Sequence, residues 1–178
     1  MELRTERLIL RPYTVADFDE SAAVWGDAEV VRHMGGQPAT REASWSRTLR
    51  YVGHWSVFRY GMWAVRDHAG RFMGDVGIAE FQRDLEPPIS VPEAGWVLAT
   101  WAHGKGYASE ALAAALRWFE DAHGPRELAC IIDPPNAPSL RVAAKHGFVE
   151  TRRAVYHGDQ VIVLTRPRTP GRASPATT

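Results

Sequence analysis

The sequence predicts a mixed α+β fold, and three observations carry that prediction. Several short runs alternate apolar with polar residues, the pattern of half-buried strands. Turn signals at His68-Ala-Gly70 and Gly158-Asp159 join pairs of such runs into hairpins. The period then changes between Tyr107 and Ala122, where Ala108, Ala111, Leu112, Ala115, Leu116 and Phe119 recur at helical spacing. Helices interleaved with hairpin-built strands make a layered α+β (mixed α/β) domain.

Arg7 to Tyr13 alternates Leu8 and Leu10 with charged neighbours and reads as a strand. Thr14, with Asp17 three residues on, is the start signal of a helix running through Phe18 and Ala22 to Trp25. Gly35-Gly36 and Pro38 break the chain before a second helix capped by Thr40, with Trp45, Leu49 and Val52 on one side. Gly61 to Asp67 and Arg71 to Arg83 read as a strand hairpin. The three prolines of Asp84 to Pro92 make a loop, and Glu93 to Thr100 reads as the next strand. The one-faced helix ends at Gly124-Pro125, and Leu128 to Ile132 is a short apolar strand. Asn136 opens another helix with Pro138 in its first turn, and Gly147 closes it. Phe148 starts a last hairpin that ends near Arg166.

The 178 residues fit one domain, placed at 1–166, with 167–178 as a C-terminal tail poor in core-forming side chains. Lys plus Arg and Asp plus Glu both number 21, a balance that argues against a general nucleic-acid binder. The single cysteine, Cys130, excludes an internal disulfide framework and a multi-cysteine metal site. The charged start, Met1 to Arg7, lacks the apolar run of a signal peptide. No stretch approaches the roughly 18–20 apolar residues of a membrane span. The expectation is a cytoplasmic protein with no membrane partner. Seven tryptophans are many for this length. Trp25, Trp45 and Trp55, with Tyr51 and Phe58, concentrate in the first two helices, where they fill the core or line an apolar pocket.

The segment with most chemistry is Val97 to Ala111, where a strand ends, a Gly-x-Gly loop follows and a helix begins. Gly104 and Gly106 permit backbone conformations that bring N–H groups close to a ligand. With the positive end of the helix and Lys105 they form an anion site suited to a phosphate or pyrophosphate. A dinucleotide fingerprint fails because its third glycine falls on Ser109, and a Walker loop fails because Tyr107 follows Gly106. A glycine turn without a ligand remains the plainer reading of this loop alone.

The loop has a companion in Asn136 to Phe148. Together, His103-Gly-Lys-Gly106-Tyr-Ala108 and Asn136-x-x-Ser139 followed by Lys145-x-Gly147-Phe148 resemble the GNAT superfamily of acetyl-CoA-dependent N-acetyltransferases. His103 stands where that family usually has Gln or Arg. Leu8-Ile-Leu-Arg11-Pro12 with Asp17 downstream, Trp63 and the Gly95-Trp96 pair also look like this family, most of all its ribosomal-protein N-terminal acetyltransferases. The resemblance spans roughly residues 3–166. It implies a mostly antiparallel twisted sheet of about six or seven strands with a splayed central pair, flanked by about four helices.

The resemblance also assigns residues. The backbone of Val97, Leu98 and Ala99 would pair with the pantetheine arm of coenzyme A. His103, Gly104, Lys105, Gly106, Tyr107, Ala108 and Ser109 would cradle its pyrophosphate. Acyl transfer to an amine needs a general base and a proton for the leaving thiolate. Glu93, at the start of the splayed strand, is the first candidate base and Glu80 the second; the plain alternative for both is a solvated strand-end acid. Ser139 would protonate the thiolate, and Asn136 would hold a water or backbone group near the thioester, although both residue types also cap helices. Asp84, Glu86 and Glu93 would supply acids for a cationic acceptor, and Lys145 reads as a surface lysine.

The function so implied is acetyl transfer from acetyl-CoA to a primary amine, either a protein N-terminus or a small molecule. The enzyme would work as a monomer or homodimer, without a metal. The competing reading is a non-catalytic acyl-CoA-binding or assembly protein of the same fold.

Overall fold

The computed structural model describes residues 1–168, so most of the expected tail lies outside the described residues. One eight-stranded sheet organises the molecule. It contains β1 (Leu3–Arg4), β2 (Leu8–Pro12), β3 (Met62–Asp67), β4 (Phe72–Ala79), β5 (Glu93–Leu98), β6 (Leu128–Ile132), β7 (Val149–Tyr156) and β8 (Asp159–Arg166). Its order is β1-β2-β3-β4-β5-β6-β8-β7, and every neighbouring pair is antiparallel except β5 and β6. The helices are α1 (Phe18–Trp25), α2 (Ala28–Val31), α3 (Arg41–Phe58), α4 (Tyr107–His123) and α5 (Ala137–Lys145). This is the α+β class predicted.

The helix starts follow local chemistry. Thr14 and Asp17 form a reciprocal capping box before a 3-10 turn, Val15–Asp17, that leads into α1. Thr40 Oγ1 accepts the Ala43 N–H at the head of α3, and Asn136 Oδ1 accepts the Ser139 N–H at the head of α5. Asp17 is fully buried, and its carboxylate accepts hydrogen bonds from Arg11 (2.5 Å) and Arg66 (3.0 Å). That network fastens the start of α1 to β2 and β3.

Period-2 alternation, interrupted in β4 by a register shift at Met73, sorts the side chains of β3 and β4 onto two faces. Trp63, Val65, Met73, Val76 and Ile78 pack with Leu112, Ala115 and Phe119 of α4 on one face. Met62, Ala64 and Phe72 pack with Tyr13, Val24 and Tyr51 against α1 and α3 on the other. Among the described residues, no helix is long and apolar enough to cross a membrane.

Two short elements and two strand ends differ from those expected. Leu3–Arg4 adds a short edge strand, and Ala28–Val31 forms a one-turn helix capped by Asp27, both too short to leave a periodic signal. β4 stops at Ala79 rather than Arg83, with Gln82 at a left-handed φ of 49°. β5 stops at Leu98 rather than Thr100, because Thr100–Ala102 closes a 3-10 turn in which the Ala102 N–H donates to Ala99 O (2.9 Å).

The tryptophan group divides. Tyr51 is buried, while Trp45 and Phe58 are exposed. Trp55 packs edge-on against Trp63, its ring centroid 4.5 Å away, and against Trp118.

Candidate active site

β5 and β6 meet at a single register pair, Glu93 with Ala129, and then part. The parting is enforced from both sides of β5. The Ala129 N–H donates to Pro92 O (3.0 Å), fixing the closed end to β6. At the other end the Ala99 N–H donates to Met73 O (2.8 Å), holding β5 to β4. Gly74, at φ 139°, permits that approach: a Cβ there would lie 2.1 Å from the Val97 carbonyl oxygen. A cavity of about 850 Å³ opens at the gap. Ala94 to Val97 of β5, Cys130 to Ile132 of β6, and Asn136 and Ser139 at the start of α5 wall one part of it. Trp25, Arg47, Arg50 and Tyr51 of α1 and α3, with Tyr156 of β7, wall another.

Alternation of the backbone decides which β5 groups face the gap. Pro92 O turns to β6, and so do the backbone groups of Ala94, Trp96 and Leu98. The Val97 carbonyl and the Ala99 N–H turn to β4. Of the three residues expected to meet a ligand, Val97 and Ala99 thus turn these backbone groups to β4, while Leu98 faces the gap beside Ala94 and Trp96. Leu98 faces the gap, but its carbonyl accepts a hydrogen bond from His103 Nε2 (2.7 Å). That bond folds the His103 side chain back onto β5, so its imidazole braces the loop instead of reaching out for an anion.

The glycine loop has the conformation its composition implies. Gly104 and Gly106 adopt φ of 73° and 81°, and Gly106 caps α4. The first intrahelical bond there runs from Glu110 N–H to Gly106 O (3.1 Å), so the N–H groups of Tyr107, Ala108 and Ser109 have no partner within the helix. Lys105 is exposed, and its carbonyl accepts from Arg7 Nη1 (2.9 Å). Arg7 is itself paired with Glu110 (2.5 Å) and lies over the Tyr107 ring. Ser109 Oγ lies 2.9 Å from His146 Nε2, tying α4 to the end of α5.

Ser139 and Trp96 meet across the gap: Trp96 Nε1–H donates to Ser139 Oγ (3.3 Å). The serine hydroxyl therefore keeps its own proton to donate. Asn136 Oδ1 is engaged in capping, which leaves its NH2 group as a donor at the cavity wall.

Glu93 is 3% exposed and is not among the residues lining the cavity. Its carboxylate accepts from Arg83 Nε (2.6 Å), and Arg83, a lining residue, also donates to Tyr156 OH (3.2 Å). Burial raises the Glu93 pKa, and the attraction of Arg83 offsets only part of that. Glu80 is held elsewhere: its carboxylate accepts from Tyr60 OH, and its carbonyl lies 2.8 Å from His54 Nε2. Asp84 and Glu86 do not line the cavity, so the acids expected for a cationic acceptor are not gathered there. Lys145 is exposed and Cys130 is buried, its thiol pKa pushed up by burial.

Sequence reasoning missed His33 and Asp133, both lining the cavity, with His33 Nδ1 3.3 Å from Asp133 Oδ2. Their hundred-residue separation leaves no local signal. It also missed Arg47, Arg50, Arg83 and Tyr156, which read as ordinary helix, loop and strand residues until the sheet brings them together.

Relatives place this architecture. The uncharacterized protein YkkB of Bacillus subtilis (strain 168) is 29% identical over 156 residues, covering 83% of this chain and 84% of that protein. A protein from Bordetella pertussis assigned to the GNAT family of acetyltransferases superposes with a TM-score of 0.82 at 28% identity, covering 93% of this chain and 99% of its own. An acetyltransferase from Agrobacterium tumefaciens str. C58 superposes at 0.79 with 26% identity, over 93% of each chain. The ribosomal-protein-S5-alanine acetyltransferase of Vibrio fischeri shares the fold at 20% identity, with a TM-score of 0.73 over 94% of this chain and 97% of that one. The acetyltransferase (GNAT) domain family matches residues 7–149, most of the sheet and both segments that flank the gap. With the parted β5–β6 pair and that match in hand, the chain belongs to the GNAT family of acetyltransferases.

Proposed function

We propose that this acetyltransferase moves the acetyl group of acetyl-CoA to a primary amine by direct attack of the amine on the thioester. The observation that carries the reading is the parting of β5 from β6, with the cavity at the gap. The residues present suit acetyl-CoA. Two glycines at positive φ and three unpartnered N–H groups at the start of α4 suit its pyrophosphate. The outward backbone groups of Ala94 and Trp96 suit its amide-bearing arm. When bound, acetyl-CoA supplies an activated carbonyl carbon and a thiolate leaving group.

The side chains divide the remaining work. Ser139, its oxygen held by the Trp96 N–H, gives its proton to the departing sulfur. Asn136 turns its NH2 group to the thioester carbonyl or to a water beside it. His33 takes the proton of the attacking ammonium: with Nδ1–H donated to Asp133, the neutral ring keeps Nε2 as an acceptor. Glu93 acts as a positioning residue that holds Arg83 at the cavity wall and Tyr156 with it. Glu80 stands outside this chemistry.

The test combines a thermal shift with acetyl-CoA and a thiol-release assay over a panel of amines. Stabilisation by acetyl-CoA and amine-dependent thiol release are expected. Loss of turnover in His33→Ala with acetyl-CoA stabilisation retained, and turnover kept in E93Q, assigns the base. Absence of stabilisation at millimolar acetyl-CoA sinks the proposal. Binding with no turnover of any amine supports instead a non-catalytic acyl-CoA-binding protein.

A further inference from the structure

The cavity beyond the gap is walled by arginines, and two of them lack a partner. Arg47 Nη1 is buried and makes no hydrogen bond. Its guanidinium lies 3.6 Å from the centroid of the Trp25 ring. Arg50 projects from the next turn of α3 toward Phe81 and Tyr51. Among the described residues, neither arginine has a carboxylate at ion-pair distance. A buried acid near Arg47, Asp75, accepts from Trp25 Nε1–H (2.6 Å) at Oδ2, and its Oδ1 has no hydrogen-bond partner; its charge favours the charged form of Arg47 but it makes no ion pair with it. Arg83, the third, is already matched by Glu93.

An unpaired guanidinium under a protein surface is costly unless something negative meets it. Burial and the neighbouring Arg50 charge both press Arg47 toward its neutral form, with Tyr51 and Asp75 offsetting them in part. The acids lining the cavity, Asp133 and Asp159, are outnumbered by Arg32, Arg47, Arg50 and Arg83, and Asp133 faces His33. A polycation has little to bind here. A guanidinium fork between aromatic walls suits a planar carboxylate attached to a small organic body.

Resting on the acetyl-transfer reading above, the geometry points to an acceptor that is a small amine carrying a carboxylate, an amino acid in chemical class. Its carboxylate is held by Arg47 and Arg50, with Trp25, Tyr51 and Phe81 around its side chain. Attack by its amine forms the new C–N bond as the C–S bond breaks. One ammonium proton goes to His33 before attack; the second, shed as the amide forms, replaces the proton that Ser139 passes to the departing sulfur.

The test is thiol release at saturating acetyl-CoA with the common L-amino acids, each paired with its own amide. Spermidine and a tetrapeptide with an acidic N-terminal residue are run beside them. The best amino acid should exceed its amide in kcat/KM by about 10- to 100-fold, the range of a charge-assisted hydrogen bond. Arg47→Gln and Arg50→Gln should each erase most of that ratio, lowering kcat/KM for the acid far more than for the amide, with the acetyl-CoA thermal shift retained. Arg47→Lys, which keeps the charge, should restore part of it and guards against misfolding of the glutamine variant. Better turnover of amides, spermidine or the tetrapeptide overturns the inference, as does equal loss for acid and amide. Loss of acetyl-CoA binding in the arginine variants also overturns it, since the arginines would then serve the cosubstrate. If wild type binds acetyl-CoA yet acetylates only amines without a carboxylate, the inference fails and the acetyl-transfer reading stands. If acetyl-CoA does not bind at all, that reading is the one that fails.

Discussion

Removing one partner of the Arg83–Glu93 pair should cost very different amounts depending on which partner goes. Glu93 is 3% exposed and Arg83 side-chain exposure is 22%, so only the arginine can turn to water when left alone. In Arg83→Met the carboxylate is stranded, and breaking a buried pair in this way costs about 3–5 kcal/mol when the charge persists. Glu93 can escape by taking a proton. Its pKa already lies above the ordinary value in the intact pair because burial outweighs Arg83, and it must rise further without the arginine. A raised folded-state pKa gives stability that is complete below the unfolded value, about 4.3, and is lost as pH rises through the folded one. The loss proceeds at up to about 1.4 kcal/mol per pH unit. R83M should therefore lie about 3 kcal/mol below wild type at pH 8 and recover about 2 kcal/mol of that at pH 5.5. In Glu93→Gln a neutral amide of the same shape replaces the acid, and Arg83 keeps Tyr156 and the open cavity. Its cost should be about 1 kcal/mol and should shrink as pH rises, because the variant lacks the raised pKa of wild-type Glu93. Urea unfolding of the three proteins at pH 5.5, 7 and 8 measures all of this. A cost for E93Q equal to or above that of R83M at pH 8, or an R83M deficit that does not change with pH, refutes the reasoning.

Three further outcomes follow from the same structure. Ser139→Ala should lower kcat by about 100-fold with the KM for acetyl-CoA unchanged, since it removes a proton donor and little binding; an unchanged kcat in steady-state assays excludes the role. Gly74→Ala should destabilise the fold by about 3 kcal/mol in chemical denaturation, because its Cβ would lie 2.1 Å from Val97 O at a φ of 139°. Wild-type stability in G74A would show that β4 and β5 do not approach as described. Asp17→Asn should cost about 2–4 kcal/mol at pH 7. Burial works to raise the Asp17 pKa, yet Thr14, Arg66 and Arg11 hold it below the ordinary value. Its contribution is thus present above the unfolded pKa of about 4 and lost as pH falls through the folded value, so the gap between D17N and wild type should close in acid.

Much of the site was legible before any coordinate. Gly104 and Gly106 announce positive φ because little else tolerates it, and both adopt it. Thr14, Thr40 and Asn136 announce helix starts through short-range hydrogen bonds, and all three cap. Ser139, at the head of α5, lines the cavity. Which β5 backbone groups face the gap was not legible, since alternation shows that neighbours face opposite ways but not which faces which. That phase came from Pro92 O and Ala99 N–H, each bonded to a different strand.

What the sequence by itself determined is the set of local choices: periods of 2 and 3.6, caps, breaks, and the glycine loop ahead of α4. Those are fixed within a few residues by sterics and nearby hydrogen bonds, and they suffice for the fold class and the acyl-transfer family. What only the tertiary structure decided is the company each side chain keeps. Glu93 meets Arg83, 2.6 Å away, only when the sheet forms. His33 meets Asp133, a hundred residues on, only across the fold. Arg47 was one surface-period residue of a helix until Trp25 and the sheet closed around it. Charge and proton chemistry depend on burial and on partners across the sheet, and neither is written in the spacing of residues along the chain.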